Sequence, residues 1–148
     1  MDTRFPGGML AQKSAIFLTN SGSNIDLVPG GIPMINAGGV QRWVPIRCDV
    51  SVTPVSSEYL PSAGYGTFAT MGAAVIQIWT ATGGTGTRLD TGTNTLSNLN
   101  STTGYQNVGL ATLTAYPQAN NLFIYLKTAP ANVGYMDFYL AGNEYTNY

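Results

Sequence analysis

The stretch VPIRCDVSVT, residues 44–53, decides the fold class because apolar and polar side chains alternate along it. The apolar positions are Val44, Ile46, Cys48, Val50 and Val52. A period of two residues places such side chains on one face of an extended chain, which is typical of a half-buried β-strand. We therefore predict a strand over Val44–Thr53. Pro45 should lie near its start or at a sheet edge, because proline has no N–H to donate to a neighbouring strand.

Strand-like segments recur along the rest of the chain, whereas the period of an amphipathic helix does not. Further strands are predicted at Ser14–Thr19, Ala74–Ala81, Leu122–Thr128 and Tyr135–Leu140, with weaker candidates at Phe68–Thr70, Thr87–Asp90, Gln106–Val108 and Ala111–Ala115. Many short strands between glycine-rich or polar turns predict an all-β, antiparallel β-sandwich or jelly roll, although a small closed barrel would give the same pattern. The predicted core is Ile46, Cys48, Val50, Ile76, Ile78, Leu122, Ile124, Leu126, Phe138 and Leu140.

Residues 1–40 differ from the rest, because Gly and Pro interrupt them and only Ser14–Thr19 reads as a strand. We predict an irregular N-terminal arm over 1–40, followed by a β-sandwich domain over 41–148. The arm nevertheless carries apolar side chains that water would disfavour, so we expect it to lie across a surface, including a neighbour's. The predicted contact residues are Phe5, Met9, Leu10, Ile32, Met34 and Ile35, with Trp43 near the junction of arm and domain.

Charge excludes several classes of partner. Only 9% of the 148 residues are charged, with six Lys and Arg against seven Asp and Glu. The basic residues lie singly along the chain, so the cluster that binds nucleic-acid phosphates is missing. The sequence has neither a basic amphipathic segment nor an uninterrupted apolar run of about 18 residues, so it does not predict contact with a membrane. The N-terminus does not resemble a signal peptide, so we expect synthesis in a cytoplasm.

The glycine cluster in IQIWTATGGTGTRLDTGTNT, residues 76–95, is predicted to be the turn of a hairpin. Gly83, Gly84 and Gly86 supply the positive φ that tight turns need. A phosphate-binding loop would require G-x-G-x-x-G or a following Lys-Ser or Lys-Thr, and neither is present.

The tripeptide Asp90-Thr91-Gly92 raises a different possibility, because aspartic proteases carry Asp-Thr-Gly. Two such aspartates from two chains share a proton and activate water. Here Thr93 follows, where that family has Ala or Ser, and no later segment completes the site. The plain alternative is an aspartate at the end of a strand.

The residue types present in the chain exclude several other kinds of catalytic site. The chain has no histidine and one cysteine, Cys48, which excludes Ser-His-Asp and Cys-His arrangements and disulfides within the chain. We expect no catalytic residues, no metal site and no cofactor, with Cys48 as a small buried apolar residue. A glycosidase pair formed by distant acids stays open. Six of the nine tyrosines lie mostly in predicted loops or tails, and they fit core packing, protein–protein contacts or a sugar-binding platform: Tyr59, Tyr65, Tyr105, Tyr116, Tyr145 and Tyr148.

Four segments taken together resemble small virion proteins of tailed bacteriophages. They are the strand that ends in VSVT and, after it, IQIWTATGGTGT, LFIYLKTA and YMDFYLAGN. The likeness covers about residues 44–143 and is greatest to capsid decoration, or cement, proteins with β-sandwich or jelly-roll folds. Thr- and Gly-rich β-domains also occur in phage fibres and tail parts.

The resemblance implies a structural protein without catalytic residues. It implies binding to the outside of a capsid shell in the virion, with the major capsid protein and further copies of the chain as partners, a homotrimer being the first expectation. The alternative is a carbohydrate-binding or structural domain of a tail or head fibre.

Overall fold

The computed structural model describes residues 8–34, 41–54, 74–96, 106–112, 120–130 and 133–146. Within these ranges the chain forms ten strands and no α-helix. The strands are β1 Gly8–Leu18, β2 Ile25–Asp26, β3 Ile32–Pro33, β4 Gln41–Pro54, β5 Val75–Ala81, β6 Thr85–Arg88, β7 Asn94–Thr95, β8 Gln106–Val108, β9 Asn121–Thr128 and β10 Gly134–Thr146. The prediction of an all-β protein is confirmed.

Two antiparallel sheets build the molecule. The first sheet has the strand order β1-β10-β4-β8, and the second has β2-β9-β5-β6 with β3 also paired to β9 and β7 to β5. All of these pairs are antiparallel. The chain crosses between the sheets repeatedly, so strands that are neighbours in sequence often lie in opposite layers. This is a β-sandwich.

One apolar core fills the space between the sheets. Met136, Phe138 and Leu140 on β10 face Leu122, Ile124 and Leu126 on β9, and all six belong to a single buried cluster. Each such burial stabilises the fold by about 1.5–3 kcal/mol. The predicted inward faces of these two strands are confirmed, as are Cys48, Val50, Ile76 and Ile78 in the core.

Ile46 is the one predicted core residue that the structure places elsewhere, with 42% of its surface exposed. The register of β4 against β10 shifts between Ala141, opposite Arg47, and Gly142, opposite Pro45. Ile46 is the extra residue of this β-bulge, which moves the inward positions from Cys48 to Pro45 and Trp43. A bulge changes the phase of alternation, so the strict period read from the sequence ends there.

The N-terminal region is more regular than predicted. β1 begins at Gly8, not at Ser14, and pairs with β10 along its length. Two register shifts, between Met9 and Ala11 and between Lys13 and Ile16, break the alternation that a sequence pattern needs. The described part of the predicted 1–40 arm therefore belongs to the sandwich together with the predicted 41–148 domain.

The glycine-rich hairpin is confirmed. β5 and β6 flank the turn at 82–84, and Gly83, Gly84 and Gly86 all have positive φ. The turn is docked on the second sheet, because both carboxylate oxygens of Asp26 accept the Gly83 N–H, at 3.2 and 3.0 Å.

The weaker strand predictions have mixed outcomes. Gln106–Val108 is β8, while the return strand predicted at Thr87–Asp90 runs from Thr85 to Arg88. Ala111 and Thr112 lie outside any strand, and the remainder of Ala111–Ala115 lies outside the described residues, as does Phe68–Thr70.

Candidate functional site

The structure separates the predicted contact residues into three groups. Leu10, Ile32, Met34 and Trp43 are buried in the chain's own core. Met9 is half-buried on β1, and Phe5 and Ile35 lie outside the described residues. Four of the seven side chains therefore support the sandwich itself, and could meet a partner only by leaving the core.

A different surface is open to partners, on the outer face of the first sheet. Along β10 the inward residues alternate with Tyr135, Asp137 and Tyr139, which point outward. Phe17 of β1 lies opposite Tyr135, and Asp49 of β4 lies opposite both Tyr139 and Asn107 of β8. We call this set of residues (Phe17, Asp49, Asn107, Tyr135, Asp137 and Tyr139) the outer face.

An aromatic pair marks one end of the outer face. Phe17 and Tyr135 are 49% and 45% exposed. Their ring centroids are 5.7 Å apart with an interplanar angle of 61°, an edge-to-face arrangement. Such a pair is worth about 0.5–1.5 kcal/mol beyond its area burial. The two rings hold each other in place while presenting apolar surface to solvent.

The polar groups of the outer face are bonded within the chain. Asp137 Oδ1 accepts the N–H of Ala15 at 2.8 Å, which fixes the bulge of β1 where Ala15 has a φ of 56°. Asp49 Oδ2 accepts from Arg47 Nε at 2.7 Å, and this hydrogen bond raises the pKa of Arg47. Asn107 Nδ2 donates to the carbonyl of Cys48 at 3.1 Å. These groups can be covered by a partner without leaving these hydrogen bonds unmade.

Asp90 lies at the centre of a buried polar network and is 2% exposed. Its Oδ1 accepts from Ile78 N at 2.7 Å and from Arg88 Nε at 3.1 Å. Its Oδ2 accepts from Arg88 Nη2 at 2.9 Å and from Asn94 Nδ2 at 2.8 Å. The Asp-Thr-Gly carboxylate is thus held by four donors of its own chain.

The same network ties the loop between β6 and β7 to the loop that follows β8. Arg88 Nη2 also donates to the carbonyl of Gly92 at 2.7 Å, and Asn94 Oδ1 accepts the Gly109 N–H at 3.2 Å. Hydrogen bonding to Asp90 raises the pKa of Arg88. Both carboxylate oxygens of Asp90 bond to the Arg88 guanidinium, and the remaining donors occupy their other lone pairs. Such a carboxylate is suited to positioning these loops.

Other chemistry-bearing groups are sparse in the described ranges. No group of three or more His, Cys, Asp or Glu residues able to hold a metal ion occurs among them. Burial raises the pKa of the Cys48 thiol well above its usual value, so the thiolate that reacts as a nucleophile is disfavoured. No helix in this part of the chain is long and apolar enough to cross a membrane.

Sequence reasoning missed the outer face although its residues lay in predicted strands. Phe17 lies in the predicted strand Ser14–Thr19, and Tyr135 begins the predicted strand Tyr135–Leu140. Each alternates with apolar neighbours and therefore lies on the opposite face of its strand. Outward aromatic residues at such positions were a usable signal. What the pattern could not give is that the first and last strands of the chain pair, which brings the two rings together.

Comparisons of the chain with protein-family models, with curated proteins and with solved structures found no match.

Proposed function

We propose that the chain is a structural virion protein that binds the exterior of a capsid shell and stabilises it by bridging coat subunits. The observation that supports this most is the outer face, where an exposed aromatic pair at one end shares the face with polar groups already bonded within the chain. Exposed aromatic anchors beside polar groups are typical of protein–protein contacts.

The charge of the chain supports the same role. A surface with few ions is covered by neighbours at a small desolvation cost, whereas unpaired buried charges are expensive. The formal net charge of −1 also gives little long-range repulsion between copies packed on one shell. Stabilisation then follows mass action, because a protein that binds only the assembled shell favours it by RT ln(1 + [L]/Kd).

The outer face is tested by replacing both rings, Phe17→Ser with Tyr135→Ser, and measuring occupancy on shells of the phage that encodes the chain. We expect occupancy to fall at least tenfold, corresponding to a loss of about 1.4 kcal/mol or more. Ile25→Ser is the matched control, because Ile25 is 39% exposed but lies on the second sheet. Equal occupancy of the double variant and this control would reject the outer face as the binding surface.

The predicted arm contacts are tested by a deletion that ends before β1. Removing residues 1–12 would delete Leu10 and Ala11, which are fully buried in the core. Removing residues 1–7 spares β1, so a change in shell occupancy then reports on the segment that contains Phe5. We expect weaker binding from this deletion, and unchanged occupancy would remove that segment from the contact.

A fibre-borne glycan-binding domain is the second candidate. It is favoured by Tyr135 and Tyr139 on one strand, with Asp137 between them and Asn107 nearby, because aromatic rings cover the apolar faces of sugars while polar neighbours bond hydroxyls. The isolated protein on a glycan array tests it. A Tyr135-dependent signal would support it, and a blank array would leave the shell-binding role as the better candidate.

A further inference from the structure

Asp137 is a charged group of the outer face for which the structure shows no counter-ion among the described residues. Asp49, the other carboxylate of this face, pairs with Arg47 at 2.7 Å. Asp137 Oδ1 accepts a hydrogen bond from the N–H of Ala15 at 2.8 Å, and a backbone N–H carries no full charge. The residue is half-buried. Its negative charge is therefore partly shielded from water and is not neutralised within this part of the chain.

Two cations on neighbouring strands lie in positions that direct them elsewhere. Lys13 of β1 is opposite Phe138, so it is in phase with the inward row of β10 and not with the outer face. Arg47 of β4 is opposite Ala141, which is about 13 Å along an extended strand from Asp137. Arg47 is also already paired. Neither cation neutralises Asp137, so the site is open to a cation from a partner.

Covering the outer face makes this charge important for the choice of partner. Asp137 lies between Tyr135 and Tyr139 on β10, so a partner that rests on this part of the face also removes the carboxylate from water. A desolvated carboxylate without an opposite charge is strongly unfavourable, and a well-placed cation offsets that cost. Neutral and acidic partner surfaces are therefore disfavoured on this face, and a basic side chain is favoured.

The ring of Tyr135 distinguishes between the two kinds of basic side chain. Side chains two residues apart on one face of a strand are about 7 Å apart, so a cation at Asp137 lies beside this ring. Tyr135 is 45% exposed and is held by Phe17 in the edge-to-face pair. A planar guanidinium can stack on an aromatic ring and bond a carboxylate at the same time, whereas an ammonium is a strongly hydrated point charge. The geometry therefore favours arginine over lysine.

We propose that the outer face docks an arginine side chain of a partner protein, with the guanidinium against Tyr135 and hydrogen-bonded to Asp137 Oδ2. No described group donates to this oxygen, and Oδ1 keeps its bond to Ala15. The identity of the partner rests on the proposed function, under which the arginine belongs to a coat subunit. The site itself lies wholly on this chain and can be tested without a shell.

Titration of the isolated protein with Nα-acetyl-arginine amide, followed by NMR, tests the site. We expect saturable shifts of the Asp137 and Tyr135 resonances. The neutral isostere Nα-acetyl-citrulline amide and the cation Nα-acetyl-lysine amide should bind at least about fivefold more weakly. Equal affinity for either of these probes would overturn the proposal. So would the lack of a saturable shift with the arginine probe up to about 0.1 M, the range of a single weak contact.

The variant Asp137→Asn removes the charge but keeps a side-chain oxygen that can accept from Ala15. It should weaken binding of the arginine probe at least about fivefold. Asp26→Asn is the matched control, because it makes the same change in net charge on β2 of the second sheet, where Asp26 bonds the Gly83 N–H. Equal weakening in both variants would overturn the proposal, since net charge alone would then explain it. Unchanged amide resonances of the buried strands show that each variant is folded.

Shell occupancy separates this proposal from the proposed function. Asp137→Asn should lower occupancy by about the same factor as it weakens the probe, and the remaining binding should depend less on salt. If the Phe17 and Tyr135 double variant loses occupancy while Asp137→Asn binds like the wild type, the outer face stays the binding surface and the guanidinium site is rejected. If no variant changes occupancy, shell binding by this face is rejected, while the arginine titration still decides the site.

Discussion

At the scale of single residues, Asp90 has the clearest structural role in the molecule. Its four hydrogen bonds reach β5, Arg88 and Asn94, and through Asn94 the loop at Gly109. A buried charge that loses its partners is strongly unfavourable, so the residues around Asp90 depend on one another. The Asp-Thr-Gly sequence is explained by this role without any reacting water.

Replacing Asp90 with Ala should destabilise the fold by about 3–5 kcal/mol, because the N–H of Ile78 and the amide of Asn94 lose a buried acceptor. Asp90→Asn should cost less, since one oxygen remains. Urea unfolding measures both losses of stability, provided that the dependence of the unfolding free energy on urea concentration keeps the same slope.

Asp49→Asn is the control, because it alters an exposed ion pair, and it should change stability far less. A protease role would instead leave Asp90→Asn folded and remove cleavage. An Asp90→Ala variant as stable as the wild type would contradict the network's importance.

Ionisation of the Cys48 thiol makes the free energy of unfolding depend on pH in the alkaline range. Its pKa is raised in the folded state chiefly by burial, whereas the unfolded thiol ionises near pH 8.5. Stability from this group is complete below that pH. It is lost as pH rises towards the folded pKa, by up to about 1.4 kcal/mol per pH unit. We expect Tm to fall more steeply between pH 8 and 10 in the wild type than in Cys48→Ala. Parallel curves would show that the unfolded thiol makes no such contribution.

At the scale of elements, alternation predicted β4, β9 and β10 and their inward faces, because each keeps one phase over most of its length. It failed at Ile46 and along β1, where bulges change the phase. Whether a strand bulges depends on its partner, and the partner of β1 is 122 residues away at Asp137. A local pattern carries no information at that distance.

Gly142 is the residue on which the β4 bulge depends. A Cβ there would collide with the carbonyl oxygen of Val44, with Leu10 Cδ1 and with Pro45 Cα. Gly142→Ala should therefore destabilise the fold by about 1–3 kcal/mol or more, as overpacking does.

Gly8 is the matched control, because it lies opposite Gly142 and a Cβ there meets nothing within 4 Å. Gly8→Ala should stay within about 0.5 kcal/mol of the wild type in the same unfolding experiment. Similar losses from both variants would mean that the bulge does not depend on the missing side chain.

The candidate site was only partly accessible from the sequence. Apolar residues in a Gly- and Pro-rich region suggested external contacts. The sequence does not show that β1 and β3 join the sheets, where Leu10, Ile32 and Met34 are buried. Burial follows from tertiary pairing, which a single sequence does not display. The outer face depends on the same pairing of the first and last strands.

At the scale of the whole molecule, the described chain is a β-sandwich with little charge, a buried polar network that fixes its loops, and one face that carries an exposed aromatic pair. These features suit a protein whose work is to adhere to other subunits. Adhesion of this kind gains from rigidity, since pre-formed surfaces lose less conformational entropy on binding.

Imaging of purified phage particles, with and without the gene for this chain, tests the central claim most directly. The account predicts β-rich density of this sandwich on the outside of the shell, bridging adjacent coat subunits, which disappears in particles that lack the chain. Identical shells in both preparations, with the chain missing from purified particles, would contradict it.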